Sequence, residues 1–286
     1  RRMMKYRKLG STGLLVSEIG LGCEGFAEDE CRNTKRLLDE AESQGINYFD
    51  LYASDPKVRA SVGEALRGRR EKFMIQSHVC SVWKDGQYKR TRNIDEVKAG
   101  MEEMLSLLQT DYIDVGMIHY VDSVKDWHTV ADGPVLAYVK ELKEKGVIRH
   151  IGLSSHNPEV ALEAVKSGDI EVLMFSVNPC YDLQPASEDV EELWAEKNYK
   201  EHLINMNPER QELYETCQRL DIGITVMKAF GGGDLLDEKL SPAGKALTVN
   251  QCIHYALTRP GVSTVLAGAR SVEQLRQKVQ ELARSY

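Results

Sequence analysis

Eight short runs rich in apolar and β-branched residues, each followed by a stretch of helical periodicity, constrain this chain more than any other feature. The runs span 16–23, 48–51, 73–79, 112–119, 150–155, 172–177, 224–228 and 263–268. They are almost continuously apolar, as parallel strands covered on both faces are. The segments between them repeat apolar residues every three or four positions. Ile94, Val97, Met101, Met104, Leu105 and Leu108 fall on one helical face, and so do Val135, Leu136, Val139 and Leu142. Asn93 before Asp95 and Glu96 supplies an N-cap and an acidic first turn. Gly146 stands where a helix end needs positive φ, and Ser271-Val272-Glu273-Gln274 approaches a capping box.

Eight strand–helix units in 286 residues predict an α/β chain folded as one closed (β/α)8 TIM barrel over 1–286. An open dinucleotide-binding sheet is disfavoured, because no GxGxxG follows the first strand. Ahead of that strand, 6–9 and 14–16 flank Gly10-Ser11-Thr12-Gly13, which reads as an N-terminal β-hairpin able to plug the barrel floor. No Gly-, Pro- or Ser-rich linker divides the chain. The longest irregular stretch, 178–209, follows the sixth strand on the side where a substrate-covering loop belongs.

Composition narrows the function classes. Hydrophobic residues make up 42% and charged residues 28%, with a formal net charge of −7. A nucleic-acid groove needs a concentrated basic face, and none is evident. The basic run Lys89-Arg90-Thr91-Arg92 has Asp85, Asp95 and Glu96 around it and reads as a solvated loop and helix start. No run approaches the ~20 apolar residues of a membrane span. The start, Arg1-Arg2-Met3-Met4, lacks the apolar stretch of a signal peptide. Cysteines at 23, 31, 80, 180, 217 and 252 form no CxxC pair, against a disulfide scaffold or a cysteine zinc site. A reduced, cytoplasmic location is the expectation.

Barrel enzymes keep their chemistry at the C-terminal ends of the strands. There the sequence places Asp50, then Ser77-His78 in the run FMIQSHV, then His119-Tyr120, Ser154-Ser155-His156 and Lys228. So many titratable groups at one edge favour a site over a set of unrelated caps and core histidines.

Six stretches, LGSTGLLVSEIGLGC (9–23), GINYFD (45–50), TDYIDVGMIH (110–119), GVIRHIGLSSHNP (146–158), GITVMKAFGGGDLL (223–236) and STVLAGARSVEQL (263–275), resemble aldo-keto reductases in order along nearly the whole chain. The resemblance is closest to the branch that continues into an iron–sulfur domain, a partner expected only in a longer natural chain. It implies a (β/α)8 barrel binding NADP or NAD across its mouth and acting on a small carbonyl or polyol.

The family tetrad is Asp, Tyr, Lys and His. By motif, Asp50 falls on the aspartate and His119 on the histidine. Asp55 stands where the tyrosine is expected, and His78 where the lysine is. Lysine keeps a positive charge at neutral pH, whereas imidazole titrates there. An ordinary aspartate is a base rather than an acid. Tyr52, which alternation puts on the face of Asp50, and Tyr120 are candidate substrate contacts and substitute donors. On the cofactor side the resemblance implies Ser154 and Ser155 at the nicotinamide amide and Met227 on its ring. It puts Lys228, Phe230, Gly231 and Gly232 at the pyrophosphate, and Gly268, Ala269, Arg270 and Gln274 at the adenosine phosphate end. Gln277 and Lys278 depart from the family's Glu-Asn.

Two other readings stay open at this level. His78, His119 and His156 with Asp50 or Asp55 could ligate Zn, Mn or Fe(II) in a hydrolase, lyase or isomerase. Loss of the Tyr and Lys positions is also compatible with a non-catalytic nucleotide-binding protein.

Overall fold

Two short antiparallel strands open the chain, β1 (Tyr6–Lys8) and β2 (Leu15–Ser17). The computed structural model describes residues 4–27, 30–195 and 206–283. After this hairpin come β3 (Ile19–Leu21), β4 (Tyr48–Leu51), β5 (Met74–Val79), β6 (Ser81–Lys84), β7 (Gln87–Arg90) and β8 (Ile113–Ile118). The last four strands are β9 (Ile148–Ser155), β10 (Val172–Ser176), β11 (Gly223–Met227) and β12 (Val262–Ala267). β3, β4, β5, β8, β9, β10, β11 and β12 close into a barrel, parallel throughout. The helices are α1 (Glu30–Ser43), α2 (Pro56–Ala65), α3 (Ile94–Leu108), α4 (Val124–Ala131), α5 (Pro134–Glu144), α6 (Pro158–Lys166), α7 (Pro208–Arg219), α8 (Val249–Leu257) and α9 (Val272–Ala283). The expected (β/α)8 barrel is the observed fold.

Strand alternation splits the core in two. Tyr48, Val115, Met117, Val172, Met174 and Leu266 point inward and pack with Leu9 and Val16 of the hairpin. Phe49, Leu51, Ile75, Val79 and Ile118 point outward and pack beneath the helices. Leu9 and Val16 therefore plug the floor, as the hairpin reading requires. Gly10 has a left-handed φ of +50°, and a Cβ there would come within 2.5 Å of Asp221 O and Gly223 N. The plug sits on the start of β11 only because this position has no side chain.

Two expectations need correction. The run 16–23 is broken: Ser17 Oγ donates to Ile19 O at 2.6 Å and its amide donates to Asn47 Oδ1 at 2.9 Å, so hairpin and barrel strand separate there. The basic run after β5 is not a solvated loop. It closes an extra hairpin, β6–β7, whose turn residues Asp85 and Gly86 take φ of +54° and +78°. Two successive left-handed residues match the right-handed twist of paired strands. Among the described residues no helix is long and apolar enough to cross a membrane.

Candidate active site

Inward-facing residues at the top of β4, β5 and β8 meet over a cavity of about 250 Å³. Register explains why. Asp50 lies opposite Gln76 and His78 opposite Met117, so every second residue rises on the inner wall. His78 Nε2 is 2.7 Å from Asp50 Oδ1, and His78 Nδ1 is 2.8 Å from His119 Nδ1. The two imidazoles meet edge to face, with centroids 4.9 Å apart. Both histidines and Asp50 line the cavity and are buried. FMIQSHV thus delivers a histidine to the site. Ser77, one residue earlier, points the other way and donates to Leu51 O at 3.2 Å.

Beneath this trio lies a fixed floor. Tyr48 Oη and Thr225 Oγ1 both donate to Gln76 Oε1, at 2.5 and 3.0 Å. The amide nitrogen of Gln76 must therefore face Asp50 Oδ1, to which it donates at 2.8 Å. Burial, reinforced by His78, Arg92 and Arg90, holds His119 well below the usual imidazole range. His119 is a neutral ring whose outer Nε2 lies 2.7 Å from Tyr88 Oη, on β7.

The hairpin is tied to the same wall. Arg92 Nη2 donates to His119 O and Tyr120 O, both at 2.8 Å, and Arg90 Nη2 donates to Tyr120 O at 2.8 Å. Asp126 accepts from Arg92 at 2.9 and 3.0 Å and pairs with Arg90. Burial works to raise the Asp126 carboxyl, but the two guanidiniums outweigh it and hold the group low.

Of the other predicted contacts, Tyr52 and Tyr120 line the cavity. Tyr120 lies between the rings of His119 and His156, 5.0 and 6.0 Å away, with the Arg90 guanidinium 4.4 Å above it. Cys23, then burial and Glu24, push the Tyr52 phenol upward. Asp55 is not among the lining residues: it is the N-cap of α2, its Oδ1 accepting from the amide of Lys57 at 2.9 Å. Ser154 faces the cavity, but Ser155 turns outward and donates to Asp122 Oδ1 at 3.2 Å. His156 lines the cavity and bonds Asp122 through Nδ1 at 3.0 Å.

On the opposite side, Met227 and Lys228 face the same cavity. Burial pulls the Lys228 ammonium downward, partly offset by Asp122. Gly231, Gly232 and Gly233 follow with φ of +60°, +71° and +99°, and a Cβ at either of the last two would meet nothing within 4 Å. Phe230 and Ala269 are buried in packing. Gln274 Oε1 accepts from the amide of Arg270 at 2.9 Å, fixing the turn that leaves the exposed Arg270 ahead of α9. Lys278 Nζ donates to Gly268 O and lies 5.0 Å from the Phe230 ring centroid, bridging the loops after β11 and β12.

Sequence reasoning missed Glu24, Gln76 and Tyr88. Glu24 lines the cavity near Gly268, and its Oε2 is buried without a hydrogen-bond partner. Burial pushes its carboxyl up and Asp50 adds to this, against Lys278 and Arg270. The described part of the 178–209 stretch contributes no lining residue, so it does not cover this cavity; residues 196–205 lie outside the described residues. The metal-dependent reading finds no support in the bonds already named. His78 spends both nitrogens on Asp50 and His119, and among the described residues no three His, Cys, Asp or Glu are grouped to hold a metal.

A parallel barrel with an acid–base cluster on one wall of its mouth and a glycine loop on the other defines a barrel oxidoreductase, and the chain belongs to the aldo/keto reductase family, whose model matches residues 18–250. Among its relatives is an uncharacterized oxidoreductase of Bacillus subtilis, YqkF, 31% identical, over 97% of this chain and 90% of the relative. L-galactose dehydrogenase of Arabidopsis thaliana is 26% identical, over 96% of this chain and 87% of the relative. A solved aldo-keto reductase of Bacillus halodurans, in its holo form, superposes with a TM-score of 0.75 at 27% identity, covering 99% of this chain and 92% of that one.

Proposed function

We propose that this chain is a nicotinamide-dependent oxidoreductase that binds NADP or NAD and interconverts a small alcohol and its carbonyl. Asp50, His78 and His119 serve as its proton-transfer unit. The observation that carries this reading is the continuous bonding of those three groups, at 2.7 and 2.8 Å, on the wall of a cavity shared with Ser154, Met227 and Lys228.

The residues fit a dinucleotide. Bare glycine backbone at Gly232 and Gly233 leaves room for a bulky, charged group to lie close, and left-handed backbone amides suit an anion. Ser154 offers a hydroxyl and Met227 an apolar surface beside it. Lys228 supplies a cation, and exposed Arg270 is the group proposed for a 2′-phosphate. Glu24 and Asp50 are the lining groups whose charge opposes an anion, and the raised pKa of Glu24 weakens its part of that opposition.

When bound, the nicotinamide accepts or supplies a hydride. The chain's own residues handle the proton. Asp50, fixed by Gln76, sets the orientation of His78, and His78 sets that of His119. The name of the L-galactose dehydrogenase relative supports a polyol or sugar derivative as substrate.

Fluorescence titration with NADPH and NADH, followed by an oxidation and reduction panel of polyols and small carbonyls, tests this. Saturable binding with turnover is expected. Tight binding without turnover across the panel would favour the non-catalytic reading instead.

A further inference from the structure

We propose that His156, held in place by Asp122, is the residue that exchanges a proton with the substrate oxygen. This rests on the oxidoreductase reading above and adds to the cavity a second acid–base group, apart from Asp50, His78 and His119.

Three histidines line the cavity, and two of them are fully engaged by protein. His78 has Asp50 on one ring nitrogen and His119 on the other, and His119 has His78 and Tyr88. Neither ring offers a nitrogen to a ligand unless one of these bonds opens. His156 differs. Its Nδ1 lies 3.0 Å from Asp122 Oδ2, and its Nε2 is open, with no partner among the described residues. The side chain stays 12% exposed, so a molecule in the cavity can meet it without displacing a protein group.

The frame around the ring decides which nitrogen is open. Asp122 Oδ1 accepts from the His156 amide at 2.7 Å and from Ser155 Oγ at 3.2 Å. Asn157 Nδ2 donates to Asp122 O at 3.0 Å, and the Asn157 amide donates to Ser155 Oγ at 3.1 Å. Burial works to raise the Asp122 carboxyl, but the bonds from His156 and Ser155 outweigh it and hold the group low, so it is ionised at neutral pH. A carboxylate only accepts, so Nδ1 keeps its hydrogen in both charge states of the ring. The proton that comes and goes is the one on Nε2.

The position suits proton exchange at the reacting carbon. Ser154 and His156 lie on the same wall, while Ser155 between them turns outward. With Ser154 at the nicotinamide amide, as proposed, His156 stands ~7 Å further up that wall. Met227 and Lys228 face the same space from the other side. The Tyr120 ring, 5.0 Å from His119 and 6.0 Å from His156, separates the two acid–base groups.

In alcohol oxidation the C–H bond yields hydride to the oxidised nicotinamide nucleotide, the two-electron acceptor of the proposed reaction. The O–H bond breaks, its proton moves to a bare His156 Nε2, and the alcohol becomes a carbonyl. The resulting imidazolium is paired with Asp122, which takes no proton itself. Water at the mouth removes the proton once the product has left. Reduction runs the same steps backwards, so protons and electrons balance in either direction.

The test has one arm without cofactor and one with it. In ligand-free protein, ¹⁵N shifts of the His156 ring, assigned with His156→Gln, should show hydrogen on Nδ1 throughout a pH titration and a change of protonation at Nε2 alone. With nucleotide and a polyol or small carbonyl, His156→Gln should lower kcat by ~10²-fold, the scale of one acid–base group, with nucleotide affinity unchanged. Added imidazole should restore part of the rate lost in His156→Gly. Asp122→Asn should lower kcat with substrate KM held, as a positioning role requires, and should move the His156 Nδ1 signal. A bare Nδ1 on His156, or wild-type kcat in His156→Gln, overturns the proposal and leaves the oxidoreductase reading standing. A wild-type chain that binds neither nucleotide overturns both, even with the expected ring shifts.

Discussion

The two sides of the barrel mouth handle polar groups in opposite ways. On the β4–β5–β8 side, Asp50, Gln76, His78 and His119 are each bonded to protein, and Tyr88 closes the row. On the β11–β12 side, three successive left-handed glycines follow β11, and a Cβ at Gly232 or Gly233 would meet nothing within 4 Å. A network satisfied from within is rigid and fixes where a proton goes. An unfilled loop can receive a large ligand but decides little about chemistry. On the proposed reading, the departures expected from the motif resemblance are His78, on the first side, and Asp55, which caps α2, while 228–232 follows the expected loop pattern.

The largest expected effect breaks the bonded side. His78→Ala should cut kcat by ~10²–10⁴-fold, the range of a positioned acid–base group, while nucleotide affinity holds. Steady-state kinetics beside a fluorescence titration would check this, and a parallel loss of binding would blur the two sides into one.

The next sharpens the open side. Arg270→Ala should weaken NADPH by about tenfold to a hundredfold, as losing a charge-assisted contact of ~1.5–3 kcal/mol implies. NADH should hardly respond, and equal weakening of both would remove the 2′-phosphate role.

A pH effect should follow from the bonded side alone. His119 is held neutral in the fold, whereas in the unfolded chain it titrates at about 6.5. Below that value the unfolded state binds the extra proton. The contribution is therefore complete above about pH 6.5 and declines as pH falls further. Urea midpoints at several pH values should decline more steeply for wild type than for His119→Gln.

The smallest effect concerns Asp55. As a helix cap it should cost ~1 kcal/mol of stability on replacement by alanine, with kcat unchanged. A large loss of kcat would bring Asp55 back into the chemistry.

The barrel was legible because eight near-continuous apolar runs have few other ways to be covered on both faces. The site was legible only where alternation was applied strictly. It places Gln76, His78 and Ser154 inside and Ser77 and Ser155 outside, so only one member of Ser77-His78 and of Ser154-Ser155 reaches the cavity. Asp55 before Pro56 is an N-cap signal in its own right, since proline favours the first helical turn. Asp85-Gly86 between Trp83 and Tyr88 is a strong short-range hairpin signal, and the hairpin it makes brings the Tyr88 hydroxyl to His119. Glu24 and the contacts of Arg90 and Arg92 depend on residues distant in sequence, which no local pattern carries.

Whether the two histidines act as one device is best measured by a double-mutant cycle in kcat with His78→Ala, His119→Ala and the pair. Groups that work as a unit lose no more together than the worse single change, and that is the result expected here. Losses that multiply would show two independent contributions and contradict a shared relay.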